Sequence, residues 1–233
     1  MAEQPIEIEV WSDIACPWCW VGSKNLEKAK ELFGHDVNVT WRAYQLDPDA
    51  FVEPEPTINY VEKLVGKYQV SKSDAQAMID RITKVGSDRG IDFRFDRLSL
   101  SNTFNAHRLL AWAKSLGQQS VLKERLFSVY LHEGLSLNDP EVLVRAATEI
   151  GLDGKSARAV LDSDQYADSV HKDRAEAQTV GVRGVPFFVV DEQIALSGAQ
   201  PPEVIVQALE EAMGSRDQAG DSVDDLSCST DGC

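Results

Sequence analysis

Two cysteines near the N-terminus are the residues best suited to do chemistry. Cys16 and Cys19 are separated only by Pro17 and Trp18. Two thiols at this spacing can close a disulfide with each other, and a thiolate attacks a disulfide sulfur through a mixed disulfide. We predict that Cys16 is the nucleophile and that Cys19 is the thiol that resolves the mixed disulfide.

The elements around this pair predict where it lies. Residues 6–11 alternate apolar and polar as a strand does, and residues 37–43 repeat the pattern. Between them, apolar residues recur at helical spacing over 26–33, and Pro17 suits the first turn of a helix. Cys16 is therefore predicted at a helix N-terminus, where unpaired N–H groups and the helix dipole favour a thiolate.

The neighbouring residues limit how reactive this pair can be. Pro17 and Trp18 carry no charge and help a thiolate less than a histidine would, so no strongly oxidising potential is assigned. Asp13 precedes Cys16 by three residues. It is either a proton acceptor for Cys19 or a solvated acid at the end of the strand, and its placement alone favours the solvated acid.

The rest of the chain predicts an α/β fold with a central mixed sheet flanked by helices and an inserted all-helical domain. A proline-rich acidic stretch precedes a long helical region, after which helix, two strands and a last helix follow. The predicted parts are 1–52 and 166–213 for the sheet-containing fold, 53–165 for the helical insertion, and 214–233 for a flexible acidic tail.

The composition argues against nucleic acid and membranes as partners of this protein. The chain has 233 residues, 43% of them hydrophobic, which is enough for a core. A net charge of −15 opposes non-specific binding to nucleic acid or anionic lipid, and no apolar run is long enough to cross a membrane. The N-terminus lacks the features of a secretory signal, so we expect a cytoplasmic protein without nucleic-acid or membrane partners.

A second pair, Cys228 and Cys233, forms a C-x4-C motif at the end of the tail. It is either a second redox pair or two thiols that oxidise incidentally. As a flexible coil, the tail of about 19 residues spans about 22–26 Å on average, so exchange with Cys16 and Cys19 is feasible. All four cysteines could instead hold zinc, but the first pair adjoins a strand–helix pattern rather than a loop. We therefore expect no metal and no cofactor.

Three separated segments carry a resemblance to a known family. Residues 11–22 (WSDIACPWCWVG), 101–109 (SNTFNAHRL) and 181–188 (GVRGVPFF) resemble the DsbA-like thioredoxin family, and more closely its FrnE-type branch. The resemblance spans about residues 6–213. It implies a thioredoxin fold with an inserted helical domain and dithiol–disulfide chemistry. The related 2-hydroxychromene-2-carboxylate isomerases and kappa-class glutathione transferases generally carry serine at the position of Cys16.

The resemblance also implies two features of the site. Val185 and Pro186 should form a cis-proline turn facing the Cys16 sulfur, and this turn would hold an extended substrate segment; from sequence alone, an ordinary trans proline is favoured. Asn102, Asn105 and His107 lie in the helical block. This block either covers the active site and helps to bind substrate, as in relatives, or these residues serve as a helix cap and a hydrogen-bonded helix-face histidine. For His107 the second explanation is favoured.

These observations predict an enzyme, a thiol–disulfide oxidoreductase of the protein disulfide reductase or isomerase type. Its substrate would be a disulfide-containing protein or a small thiol, and its reductant glutathione or a thioredoxin system. The alternative is a glutathione-dependent isomerase or transferase of the 2-hydroxychromene-2-carboxylate isomerase or kappa type. A metal-binding or redox-sensing module without turnover is a third hypothesis.

Overall fold

A four-stranded mixed sheet forms the centre of the fold. The computed structural model describes residues 4–50 and 59–224, with side chains described up to Arg216. The strands lie in the order β2-β1-β3-β4. β1 pairs parallel with β2, whereas β3 runs antiparallel to β1 and to β4. The strand bounds are Ile6–Ser12 (β1), Val37–Ala43 (β2), Phe187–Val190 (β3) and Ile194–Ser197 (β4). The predicted mixed sheet is confirmed.

Helices cover both faces of this sheet. α1 (Pro17–Phe33) and α9 (Pro202–Asp224) pack on one face around Val10, Leu26 and Phe188. The proline begins α1, and Gly34 ends it in the left-handed conformation, at φ 73°, which favours glycine. α8 (Ala167–Val180) covers the other face, where the Trp11 indole donates to the carbonyl oxygen of Asp173 at 3.0 Å.

A block of helices lies between β2 and β3 in the chain. Several of these helices begin at a side-chain cap: Ser71 accepts from the Asp74 N–H in one, and Asp139 accepts from the Glu141 N–H in another. Their bounds are Tyr60–Tyr68 (α2), Lys72–Ser87 (α3), Phe104–Ser115 (α4), Gln119–Phe127 (α5), Pro140–Glu149 (α6) and Gly154–Leu161 (α7). A π-helical turn, Ser128–His132, extends α5. The domain boundaries at 53 and 165 stay a prediction.

Trp20 on α1 fixes the helical block against the sheet-containing part. Its ring stacks on Phe127 with centroids 5.9 Å apart and meets Phe93 edge-on at 5.6 Å. Its indole N–H donates to Glu124 at 2.9 Å, and the same carboxylate pairs with Lys24 at 2.6 Å. Because one apolar core runs through this junction, α1 is held between the two parts.

The last helix is longer than the sequence indicated. The acidic tail was predicted to begin at Gly214, but α9 continues to Asp224. Arg216 donates to the Asp191 carboxylate at 2.6 Å and to the Gln4 carbonyl at 2.9 Å. Both partners lie at the end of the sheet away from Cys16, since β1 runs from Ile6 towards that cysteine. α9 therefore carries the chain away from the cysteine pair.

Candidate active site

Cys16 lies where the sequence predicted it, between β1 and α1. Its backbone is extended (φ −99°, ψ 110°) at the residue that caps α1, and Pro17 is the first helical residue. Its N–H donates to the Asp13 carbonyl at 3.1 Å, and its carbonyl accepts from the Cys19 N–H at 3.0 Å. Both thiols are reduced; Cys16 is 5% exposed and Cys19 is completely buried.

The loop before β3 faces the Cys16 sulfur. The thiol donates to the Val185 carbonyl, with 3.6 Å between sulfur and oxygen, and the Val185–Pro186 peptide bond is cis, as the resemblance implied. Gly22 on α1 permits this approach. A β-carbon at Gly22 would lie 2.9 Å from the Cγ of Pro186, closer than such atoms pack. The glycine thus sets how near the proline loop comes to α1.

The two thiols share their protons unequally. The hydrogen bond with Cys19, together with burial, raises the pKa of Cys16 well above the ordinary thiol value. Burial also acts to raise the pKa of Cys19, but the interaction with Cys16 and the nearby Ser12 hydroxyl and Asp13 N–H outweigh it and lower that pKa. The pair therefore releases one proton readily and holds the other between the sulfurs.

Asp13 is not the solvated acid that the sequence favoured. It is 1% exposed, its Oδ2 accepts from the Leu46 N–H at 2.8 Å, and its Oδ1 accepts from His107 Nε2 at 3.3 Å. Burial acts to raise the pKa of Asp13, but the hydrogen bond and charge of His107 outweigh it and hold that pKa below its ordinary value. His107 is thus a buried, hydrogen-bonded histidine on α4, and its partner belongs to the loop before Cys16.

A cavity opens beside Cys16 between the two parts of the fold. It encloses about 850 Å³ of space that is continuous with solvent. Most of its wall is apolar, whereas Lys63 and Lys67 on α2 are cationic. The phenol of Tyr60 also lines it; burial and then the charge of Cys16 raise the pKa of Tyr60, so the phenol stays protonated. The apolar wall includes Trp18, Leu46, Leu64, Ile79, Ile82 and Tyr130.

Asn102 and Asn105 bond to a backbone N–H and to an arginine side chain, respectively. Asn102 Oδ1 accepts from the Phe104 N–H at 2.8 Å, as capping predicted. Asn105 Oδ1 accepts from Arg108 at 2.9 Å. Both line a different, polar cavity together with Arg174. The cavity beside Cys16 is therefore formed by other residues of the helical block.

Sequence reasoning missed a buried lysine on α5 whose charge interacts with those of the cysteine pair. Lys123 on α5 is 1% exposed, and its Nζ lies 4.6 Å from the centroid of the Trp41 ring. Burial lowers the pKa of Lys123 to about 8, although the charges of Cys19, Asp13 and Cys16 act in the opposite direction. Lys123 precedes the apolar Phe127 by four residues, and this spacing places both on one face of the helix. That spacing was the sequence signal that Lys123 is buried.

The second cysteine pair, Cys228 and Cys233, lies outside the described residues. In the part that is described, no group of three or more histidine, cysteine or acidic side chains could hold a metal ion. Over the same residues, no helix combines the length and apolar character needed to span a membrane.

Together, the mixed sheet, the cysteine pair at the start of α1 and the cis-proline loop define a thioredoxin-type protein with a helical insertion. A model of the DSBA-like thioredoxin domain matches residues 7–210 of this chain. The chain therefore belongs to the DSBA-like thioredoxin family, as the sequence resemblance predicted.

Known proteins agree with this assignment. The probable DsbA oxidoreductase SCO1869 from Streptomyces coelicolor is 39% identical, with a TM-score of 0.84 over 90% of each chain. The uncharacterised protein YwbO of Bacillus subtilis (strain 168) is 27% identical over 88% of this chain and 96% of its own. The cytosolic disulfide reductase DsbM from Pseudomonas aeruginosa with GSH shares the fold at 19% identity, with a TM-score of 0.64 over 89% of this chain and 98% of DsbM.

Proposed function

We propose that this protein is a thiol–disulfide oxidoreductase of the reductase or isomerase type, with Cys16 as nucleophile and Cys19 as resolving thiol. One observation carries the proposal. Cys16 is the sulfur of the pair that lines the cavity and contacts the Val185 carbonyl, whereas Cys19 is completely buried behind it. An external sulfur can therefore reach Cys16 without any rearrangement of the helix.

The reaction proceeds in two exchanges. The shared proton moves onto Cys19, and the Cys16 thiolate attacks one sulfur of the substrate disulfide. The substrate S–S bond breaks, a Cys16–substrate disulfide forms, and the leaving thiolate takes a proton from solvent. Cys19 then gives its proton to solvent and attacks the Cys16 sulfur. The Cys16–substrate bond breaks, the second substrate thiolate leaves and takes a proton from solvent, and a Cys16–Cys19 disulfide remains. Two external thiols reduce this disulfide and complete the cycle.

The proline loop supplies the binding site for the substrate backbone. The Val185 carbonyl already accepts from the Cys16 thiol, so an attacking thiolate frees it for a substrate N–H. An extended substrate segment can then pair with Val185 as an added strand. Val185 and Pro186 are accordingly assigned to substrate binding, and the apolar cavity accepts the side chains next to the substrate disulfide.

Reduction or isomerisation in the cytoplasm is the direction that we infer. The uncharged Pro17 and Trp18 give the Cys16 thiolate no electrostatic support, which argues against a strong oxidant. Glutathione is the proposed small-thiol partner, with a thioredoxin-system reductant as the other source of electrons. The likeness in fold to DsbM, a cytosolic disulfide reductase whose structure is known with GSH, supports this choice. Within the family, the three sequence blocks favour the FrnE-type branch.

Insulin reduction with glutathione as electron donor tests the proposal. We expect turnover by the wild type, none by Cys16→Ser, and slower turnover with a Cys16–insulin mixed disulfide in Cys19→Ser. Equal insulin reduction by wild type and Cys16→Ser would refute the proposal. Glutathione conjugation or isomerisation of a small electrophile that Cys19→Ser leaves unchanged would instead favour the transferase or isomerase alternative.

The candidate second redox pair needs a separate test because of where α9 ends. Cys228 follows Asp224 by four residues, which extend at most about 14 Å. β1 alone is about 23 Å long, and α9 beyond Arg216 adds about 12 Å. Cys233 follows Asp224 by nine residues, which extend at most about 32 Å, so direct exchange with Cys16 in the same molecule is near the limit of the chain's reach. Unchanged turnover in Cys228→Ser/Cys233→Ser would show that the pair has no part in the reaction.

A further inference from the structure

A polar cavity is lined by the same two stretches of chain that line the cavity beside Cys16. Gln45 and Asn102 line the polar cavity, whereas their neighbours Leu46 and Thr103 line the one beside Cys16. The polar cavity encloses about 740 Å³ of space that is open to solvent, and no step of the proposed reaction uses it. Four amides, a histidine and an arginine form its polar lining: Gln45, Asn102, Asn105, Asn138, His171 and Arg174.

The charge of this cavity differs in sign from that of the whole chain. Of the residues that the structure describes, no aspartate or glutamate lines it, although the chain has 38 acidic residues against 23 lysines and arginines. Arg174 on α8 is half-buried, and among residues 4–50 and 59–216 it pairs with no carboxylate. Arg125 and Arg216, in contrast, both pair with carboxylates. Arg174 therefore brings a positive charge to the cavity without a counter-ion from the described protein.

The amide oxygens of the cavity wall are already used within the protein. Each accepts a hydrogen bond: Asn102 Oδ1 from the Phe104 N–H at 2.8 Å, Asn138 Oδ1 from the Asn102 N–H at 2.9 Å, Asn105 Oδ1 from Arg108 at 2.9 Å, and Gln45 Oε1 from Arg174 at 3.4 Å. Donors remain, because Asn105 Nδ2 and the His171 ring make no hydrogen bond within the described part of the chain. A ligand for this cavity must therefore accept hydrogen bonds, as carboxylate and phosphate oxygens do.

The contact between Arg174 and Gln45 is one that an anion can replace. Its 3.4 Å separation is longer than the about 2.7–3.2 Å of ordinary N–H···O hydrogen bonds. A carboxylate or phosphate accepts two parallel, charge-assisted hydrogen bonds from a guanidinium, and these are stronger than a bond to a neutral amide. Gln45 is 8% exposed and also donates to Asn102 Oδ1 at 3.2 Å. Its side chain therefore stays anchored when Arg174 binds an anion.

We propose that the polar cavity is a binding site for a small anion that carries a carboxylate or phosphate group. The Arg174 guanidinium pairs with the anionic group, and Asn105 Nδ2 and a His171 ring N–H donate to further oxygens of the ligand. The rings of Phe104 and His171, with centroids 5.3 Å apart, form the wall against which the carbon part of an organic anion packs. This site does not depend on the proposed disulfide chemistry.

Isothermal titration calorimetry of the reduced full-length chain tests this proposal. Succinate and inorganic phosphate are titrated separately in a Tris chloride buffer of constant ionic strength, so the two titrations show which anionic group the site prefers. We expect at least one of them to bind at a single site with a Kd below about 1 mM. Arg174→Gln should weaken this binding by at least about 10-fold, because the charge-assisted pair is lost. Arg145→Gln, which replaces an exposed arginine on α6, is the matched control and should bind as the wild type does.

Asn105→Asp is a second variant, which decides the matter if Arg174→Gln does not fold. Its carboxylate still accepts from Arg108, but the Nδ2 donor is lost and a negative charge is added, so binding should again weaken by at least about 10-fold. The proposal is overturned if neither anion binds the wild type with a Kd below about 1 mM. Binding that both cavity variants retain, or that Arg145→Gln weakens equally, would also overturn it. None of these titrations measures disulfide reduction, so a negative result leaves the proposed function unaffected.

Discussion

Replacing the buried Lys123 by methionine should stabilise the protein. At about 1.4 kcal/mol for each pH unit, a pKa that burial lowers from 10.5 to about 8 corresponds to about 3 kcal/mol against the buried ammonium. Methionine fills similar space without a charge. We expect Lys123→Met to raise the free energy of unfolding by about 1–3 kcal/mol at pH 7, measured by urea denaturation of the reduced protein.

The stability difference between Lys123→Met and the wild type should depend on pH. The folded pKa of Lys123 lies below the unfolded one, so between about pH 8 and 10.5 the unfolded chain binds more protons. Wild-type stability therefore rises relative to the variant across this window, and the advantage of methionine shrinks by pH 10. Below pH 8 the advantage is fully present. A variant less stable than the wild type at pH 7, or a difference independent of pH, would refute the reasoning.

Two further substitutions test the packing of the site. Gly22→Ala should lower stability by about 1–2 kcal/mol and slow insulin reduction, because its β-carbon meets Pro186 at 2.9 Å; Gly66→Ala, with open space around it, should not be destabilising in thermal melts or slow that reduction. Asp13→Asn should cost about 1–3 kcal/mol at pH 7, by urea denaturation, through weaker hydrogen bonds. The folded-state pKa of Asp13 is depressed, so its contribution is complete above about pH 4 and is lost as the pH falls from there through the lower folded pKa; a loss at pH 3 as large as that at pH 7 would contradict this account.

Local patterns were enough to predict the position of the nucleophile. Alternation in β1, the proline at the start of α1 and the glycine at its end are short-range signals, and each fixes the element in which it occurs. These signals predict Cys16 at the start of a helix without any information about the other helices and strands. The cis bond at Pro186 came from the family resemblance, since nothing in the local sequence favours it over trans.

Contacts between distant segments could not be predicted in the same way. Asp13 looks like a solvated acid until α4 brings His107 to within 3.3 Å of it, and 94 residues separate the two. Lys123 becomes part of the site because α5 packs beside β2, which a helical repeat alone does not reveal. The polar tail composition likewise concealed the extent of α9, because helix continuation past Gly214 depends on the preceding turns.

Trapping the mixed disulfide tests the central claim most directly. A Cys19→Ser variant in which Cys228 and Cys233 are also replaced by serine is reduced and reacted with oxidised glutathione or an insulin disulfide, and the adduct is located by mass spectrometry of the digested protein. We expect one stable adduct, on Cys16, and none when Cys16→Ser is added to the same variant. An adduct that forms on another residue, or equal adduct formation when Cys16 is replaced, would contradict the account.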